Sequence, residues 1–143
     1  MNVFFDVDYT LISYEGVLRP HVREVFQALT EEGHRIYIWS GVGLRHSVIR
    51  QHGLEEFVSG IYVKPLENHW AMLPKLGVEV TPEFVIDDHS EVVAAFGGMH
   101  IAPYSYPSKN DTELLRAHSL IRKAAEEQDG NQKTSEGLIP PPE

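Results

Sequence analysis

Asn2–Leu11 reads NVFFDVDYTL, an apolar run that breaks into two carboxylates and a threonine. Val3, Phe4 and Phe5 have the pattern of a strand covered on both faces, as in the middle of a parallel sheet. Asp6 and Asp8 follow at a spacing of two. In extended chain that spacing turns both side chains toward one spot while Val7 returns to the core. Two like charges so close repel each other and require a cation between them or a shared proton. Such a pair suits magnesium-assisted phosphoryl transfer, although an isolated Asp-x-Asp is more often a strand end with two solvated acids. The remaining strand ends decide between the two.

Working outward, Pro20 suits the first turn of a helix carried by Val22, Val25, Phe26 and Leu29 and stopped by Gly33. His34–Trp39 (HRIYIW) reads as a second buried strand ending in Ser40-Gly41. A helix is expected from about Leu44 to His52, then a short strand, Ile61–Val63, ending at Lys64-Pro65. Glu67–Leu73 has a helical pattern with Trp70 on its inner side, and Pro74 ends or kinks it. Phe84–Ile86 is a buried strand terminating at Asp87-Asp88, and Ser90 is placed to cap the helix that follows. Met99–Ala102 makes a last strand. Asn110 with Glu113 resembles a capping box before an amphipathic helix through Leu114, His118 and Ile121. From Gln128 the composition turns polar and ends in three consecutive prolines, so a domain over 1–127 and a disordered tail over 128–143 are expected. Strands alternating with helices on short connections predict a three-layer α/β domain with a mainly parallel five-stranded sheet.

The net charge is -9, of which residues 126–143 supply five acids against one lysine, so the body is only mildly acidic. No Lys/Arg-rich run marks a nucleic-acid footprint, though a phosphorylated nucleic-acid end stays among the substrates considered. Cysteine is absent, which excludes disulfides and thiolate chemistry. No apolar run approaches ~20 residues, and the opening is unlike a signal peptide, so no membrane span and a cytoplasmic location are expected.

Ligands in parallel α/β sheets bind beyond the carboxyl ends of the strands. Here those ends carry Asp6, Asp8 and Thr10, then Ser40, then Lys64, then Asp87 and Asp88. A transferring phosphoryl group spreads charge over its oxygens and needs positioning, positive charge and hydrogen-bond donors. Asp6 could attack phosphorus to form an aspartyl-phosphate, and Asp8 could protonate the leaving oxygen and then activate water. Ser40, with backbone N–H groups of Gly41 and its neighbours at a helix start, is expected to bind phosphate oxygens, and Thr10 and Lys64 join them. Asp87, Asp88 and Asp6 would supply oxygen ligands for magnesium.

In order and pattern the chain resembles the haloacid dehalogenase (HAD) superfamily of phosphatases. FDVDYTL matches its Asp-x-Asp-x-Thr first motif, IWSG its second, the lysine of YVKP its third and VIDD its acidic fourth. The resemblance spans residues 2–102. It implies a Rossmann-like domain, Asp6 as nucleophile, Asp8 as general acid/base whose main-chain carbonyl also helps hold the metal, and Asp87 rather than Asp88 as the direct magnesium ligand. Tyr9 departs from the glycine of many members and is expected at the mouth of the site. The presence of Asp8 speaks for phosphate chemistry rather than dehalogenation. The intervals Thr10–Ser40 and Lys64–Asp87 are too short for a cap domain. The resemblance then implies an open site, with a large phosphorylated substrate or a homo-oligomer whose subunits cover it.

Two other readings use similar residues. A receiver-like signalling module places its acidic pair on the first strand and its acceptor later, the reverse of this chain. A non-catalytic phosphate-binding module fits poorly with an intact set of Asp6, Asp8, Ser40, Lys64 and Asp87. Among other features, the histidines lack zinc spacing, although His89 directly follows the acidic pair. Trp39 and Trp70 are expected in the core, and Arg19 and Arg45 as ordinary exposed arginines. The substrate itself is not written in the sequence.

Overall fold

The computed structural model describes the backbone of residues 1–138 and the side chains of residues 1–131. Five strands, β1 (Asn2–Phe5), β2 (Arg35–Ser40), β3 (Val58–Val63), β4 (Phe84–Asp87) and β5 (Gly98–His100), form one sheet in the order β3-β2-β1-β4-β5. Every neighbouring pair is parallel. Five helices accompany them: α1 (Val22–Glu31), α2 (His46–Gln51), α3 (His69–Met72), α4 (Ser90–Phe96) and α5 (Glu113–Leu138).

Strand alternation sorts the core into two layers. Val3, Phe5 and Val7 face a cluster built with Val25, Phe26 and Leu29 of α1 and Leu114, Ala117 and Ile121 of α5. Phe4, one residue out of phase, faces the other side, with Tyr37, Trp39 and Val85 of the sheet and Val92 and Phe96 of α4. Phe4 stacks on Tyr37 with centroids 4.9 Å apart and tilts against Trp39 at 4.6 Å. The period of two therefore makes the three-layer α/β fold, Rossmann-like as expected. Only α1 and a loop separate β1 from β2, and only α3 and a 3-10 turn separate β3 from β4, so neither interval holds a cap domain. Among the described residues no helix is long and apolar enough to cross a membrane.

The chain fills one side of β1 with β2 and β3, then returns to its other side with β4 and β5. The strand order thus reverses between β1 and β4, whose ends carry Asp6 and Asp87; this is where such sheets form a crevice. At the far edge, Gly98 has φ 139°, and a Cβ there would lie 2.0 Å from the carbonyl oxygen of Val85. Only glycine permits β5 to approach β4 this closely.

Several local expectations are corrected. Pro20 lies before the helix rather than in its first turn, because His21 takes a left-handed turn (φ 73°) and α1 begins at Val22. The capping box of Asn110 with Glu113 does not form: Asp111 Oδ1 accepts the Glu113 N–H, and Glu113 Oε2 is taken by the Ala102 N–H. Ser90 is the first residue of α4 and makes no side-chain cap. α5 continues past residue 127 to Leu138, so the boundary placed there is not the end of the helix; residues 139–143 of the expected tail lie outside the described residues. Trp70 is half exposed, donating Nε1–H to the Ala95 carbonyl beside Phe96, and is not a core residue. Trp39 is fully buried, as expected.

Arg19 departs furthest from expectation. It is 1% exposed and forms a fork on Asp111, with Nε–Oδ1 and Nη2–Oδ2 both 2.9 Å. Its remaining N–H groups reach the carbonyls of Tyr9 (3.3 Å), Thr10 (3.2 Å) and Ala102 (2.7 Å), and Tyr104 lies under the guanidinium. One side chain thereby ties the loop after β1 to the loop after β5. Breaking a buried ion pair by removing one partner costs about 3–5 kcal/mol because the other charge is stranded. Arg19→Met is expected to lower stability by about that amount in urea unfolding. A loss below about 1 kcal/mol, as at an exposed pair, would show that the clamp contributes little.

Candidate active site

The crevice holds a compact polar cluster. Asp6 extends the β1–β4 ladder through its N–H to the Ile86 carbonyl (3.0 Å), and Lys64 extends β3 beside β2 through its N–H to the Ser40 carbonyl (2.9 Å). The ladders thus carry both residues one step beyond the strands, with side chains fixed by the pleat. Lys64 Nζ donates to Asp87 Oδ2 at 2.9 Å and to Asp6 Oδ1 at 3.2 Å. Thr10 Oγ1 donates to the other oxygen of Asp6, Oδ2, at 3.3 Å. Asp87 Oδ1 accepts the His89 N–H at 2.9 Å, which fixes the turn into α4. Asp6, Thr10, Ser40, Lys64 and Asp87 are all buried.

Three carboxylates, Asp6, Asp87 and Asp88, and the ring of His89 bring one ligand atom each within 4.8 Å of one another. Against the three carboxylates stands the one lysine, leaving a charge of -2 if all are ionised. Burial first, and then the Asp87 charge, push the Asp6 carboxyl up to about 8, against the pull of Lys64. Burial alone would lower the Lys64 ammonium, but Asp6 and Asp87 outweigh it and hold it above the usual lysine range. Asp88 Oδ1 is buried with no hydrogen-bond partner; His89 Nδ1, 3.4 Å away, is hydrogen-bonded to Asp87 Oδ1 (3.3 Å) and pairs with Asp88 by charge alone when the ring is protonated. A buried carboxylate oxygen is costly to leave bare. An unsatisfied oxygen, a carboxyl raised by burial and by a neighbouring carboxylate, and an oxygen-rich donor set together fit a hard divalent cation.

Asp8 behaves differently from its neighbour. Its Oδ2 accepts from Arg45 Nη1, and Asp8 is absent from the carboxylate cluster. The spacing of two does bring Asp6 and Asp8 to one cavity, of about 480 Å³, while Val7 is fully buried. Asp6, Asp8, Ser40, Gly41, Lys64 and His89 are among its lining residues. Thr10 lies fully buried behind Asp6 and does not line the cavity, so it supports the carboxylate rather than meeting a phosphate. Nor does Gly41 stand at a helix start: α2 begins at His46, and the Val42 N–H is directed at Ser40 Oγ (3.3 Å) in a tight turn.

Tyr9 stands at the mouth, 38% exposed, with φ 63°. That left-handed geometry explains why glycine suits this position, and for tyrosine it costs about 1–2 kcal/mol. The turn is nevertheless held, since the Tyr9 carbonyl accepts from Arg19 and from the Tyr104 N–H (2.8 Å) while its own N–H reaches the Ile12 carbonyl (2.8 Å). Sequence reasoning missed both arginines as supports. Their partners lie 37 and 92 residues away, and no local spacing signals them. No family model matches the chain, and no curated protein matches it.

Crowding has a pH consequence. The Asp6 carboxyl binds its proton more tightly in the folded protein than in the unfolded chain, so its contribution is full below about pH 4 and is lost as pH rises through about 8. Metal-free protein is expected to lose stability across that window in urea unfolding, and Asp6→Asn to flatten the fall. An unchanged slope in the variant would remove Asp6 as its source.

Proposed function

We propose that the chain is a magnesium-dependent phosphomonoesterase of the HAD type, working through an aspartyl-phosphate on Asp6. The observation that carries the reading is the buried cluster in which Lys64 bridges Asp6 and Asp87 beside the unsatisfied Asp88 oxygen. Its residues come from three different strand ends, in the motif order of that superfamily.

The substrate phosphate enters the cavity over Asp6. An oxygen of Asp6 forms a bond to phosphorus as the bond to the leaving oxygen breaks, and Asp8 gives that oxygen a proton. In the second half Asp8 takes a proton from water; the water oxygen bonds to phosphorus, and the Asp6–phosphorus bond breaks to release inorganic phosphate. Thr10 orients Asp6 through its hydroxyl, leaving the attack geometry fixed before substrate arrives. Lys64 supplies positive charge beside the phosphoryl oxygens. Arg45 orients Asp8 through its hydrogen bond to Oδ2. Asp6, Asp87 and Asp88 would hold a magnesium ion, which when bound neutralises charge on the phosphoryl oxygens and screens Asp6 from its neighbours.

Phosphate release from a panel of sugar, nucleotide, peptide and oligonucleotide-end monoesters tests the reading. Turnover is expected with magnesium and not with EDTA. Asp6→Asn is expected to abolish it, and Asp8→Asn to lower kcat by roughly 10²–10⁴-fold. Turnover surviving in Asp6→Asn would exclude the aspartyl-phosphate. A stable phosphorylated protein with no multiple turnover would instead favour the receiver-like module.

A further inference from the structure

The cavity over Asp6 has a charged floor and apolar walls. Tyr9, Tyr14, Val42 and Leu66 rise around it. Of the eight large hydrophobic side chains exposed among the described residues, these are four, at 38%, 85%, 78% and 64% exposure. Scattered single apolar residues on a surface need no explanation, whereas a set gathered round one cleft marks a binding surface. Leu66 is seated on Gly41, where a Cβ would come 2.6 Å from Leu66 Cδ2. The glycine lets this wall lean over the floor.

Charge restricts the occupant further. Among the described residues Lys64 is the only lysine or arginine lining the cavity, and it is engaged with Asp6 and Asp87. Arg45, nearby, is engaged with Asp8. Among the described residues no unengaged lysine or arginine lines the cavity for a further phosphate or a nucleic-acid backbone. Apart from the floor, the lining offers polar atoms at the His89 ring and at the Tyr9 and Tyr14 hydroxyls, fewer than the hydroxyls of a sugar would need against the ring faces and aliphatic walls. A volume of about 480 Å³ accommodates one phosphoryl group with a ring-sized body.

Resting on the phosphatase reading above, we infer that the substrate is a single-phosphate monoester of an apolar, ring-bearing alcohol or phenol. The phosphoryl group meets the Asp6–Lys64 floor, and the ring packs against the Tyr9, Tyr14, Val42 and Leu66 side chains that line the cavity. Removing such a ring from water accounts for a discrimination of roughly tenfold or more against a polar body of similar size.

The comparison is between 2-phenylethyl phosphate and glycerol 1-phosphate, both esters of primary alcohols, so that the phosphate bears a similar leaving group. The ring ester is expected to show kcat/KM at least roughly tenfold higher, and Tyr14→Ser and Leu66→Ser each to reduce that ratio. Equal values for the two esters, or a ratio untouched by both substitutions, would overturn the inference. Binding of the same two esters to Asp6→Asn, which needs no turnover, separates this inference from the reading it rests on. Tighter binding of the ring ester without turnover in the wild type supports the ring site while removing the phosphatase. Turnover with no preference in either assay retains the phosphatase and removes the ring site. For a preferred ring ester, the rate ratio of free phosphotyrosine to a phosphotyrosyl peptide separates a small-molecule source from a protein one.

Discussion

Asp6, Asp87 and Asp88 are forced together by the sheet, and one lysine cannot neutralise them. The strands that deliver Asp6 and Asp87 are adjacent and in parallel register, Phe5 opposite Ile86, so the next residues on each emerge side by side. Lys64 arrives from the edge strand two places away and spans both carboxylates. Gathering buried charge of one sign costs free energy that packing elsewhere must offset, and it is tolerated at sites of chemistry because it creates affinity for positive charge. A bare Asp88 oxygen, and an Asp6 carboxyl pushed up to about 8 by burial first and by the Asp87 charge second, mark the same crowded spot.

The cluster is useful only if the loop after β1 is held still, and that loop has little regular structure. Arg19 supplies the restraint. Its fork on Asp111 is satisfied on both nitrogens, and its other donors occupy the carbonyls of Tyr9 and Thr10 from behind. The left-handed turn at Tyr9 is stabilised by these bonds despite its intrinsic cost, and Thr10 is thereby set to reach Asp6. A buried guanidinium with most of its donors used is rigid, and its planar fork is poorly replaced by an ammonium. The clamp holds the loop from behind, and Arg19 is not among the residues that line the cavity.

Above this charged floor the walls change character. Tyr14, Val42 and Leu66 stand exposed where a cap domain is absent, so the cavity keeps an open mouth with apolar sides. Floor and walls divide the work of recognition in the proposed reading. The floor answers to a phosphoryl group common to all monoesters, and the walls to whatever that group is attached to. Arg45, tied to Asp8, sits between the two functions.

Much of this was legible in the sequence. The apolar runs, their length, and the acids, serine and lysine placed at their ends are local features. A strand pattern dictates where its own end lies, so Asp6, Ser40, Lys64 and Asp87 could be assigned to one edge of a parallel sheet from the chain alone. What lay beyond it were pairings across distance. Arg19 reads as a surface residue because its charged partner Asp111 is 92 positions away and meets it only when the β1 and β5 loops converge. Thr10 reads as a phosphate ligand until folding turns its hydroxyl inward to Asp6, and Asp8, whose spacing alone turns it toward the same spot as Asp6, has its carboxylate paired with Arg45 outside the carboxylate cluster. Trp70 shows the converse, an aromatic at helical spacing that stays at the surface because the short α3 packs its indole on the end of α4. The sequence by itself determined the elements and the chemical types at their ends, since both follow from periodicity and backbone geometry. Which side chain meets which was decided by the tertiary structure, because burial and long-range charge pairing depend on neighbours that no local pattern specifies.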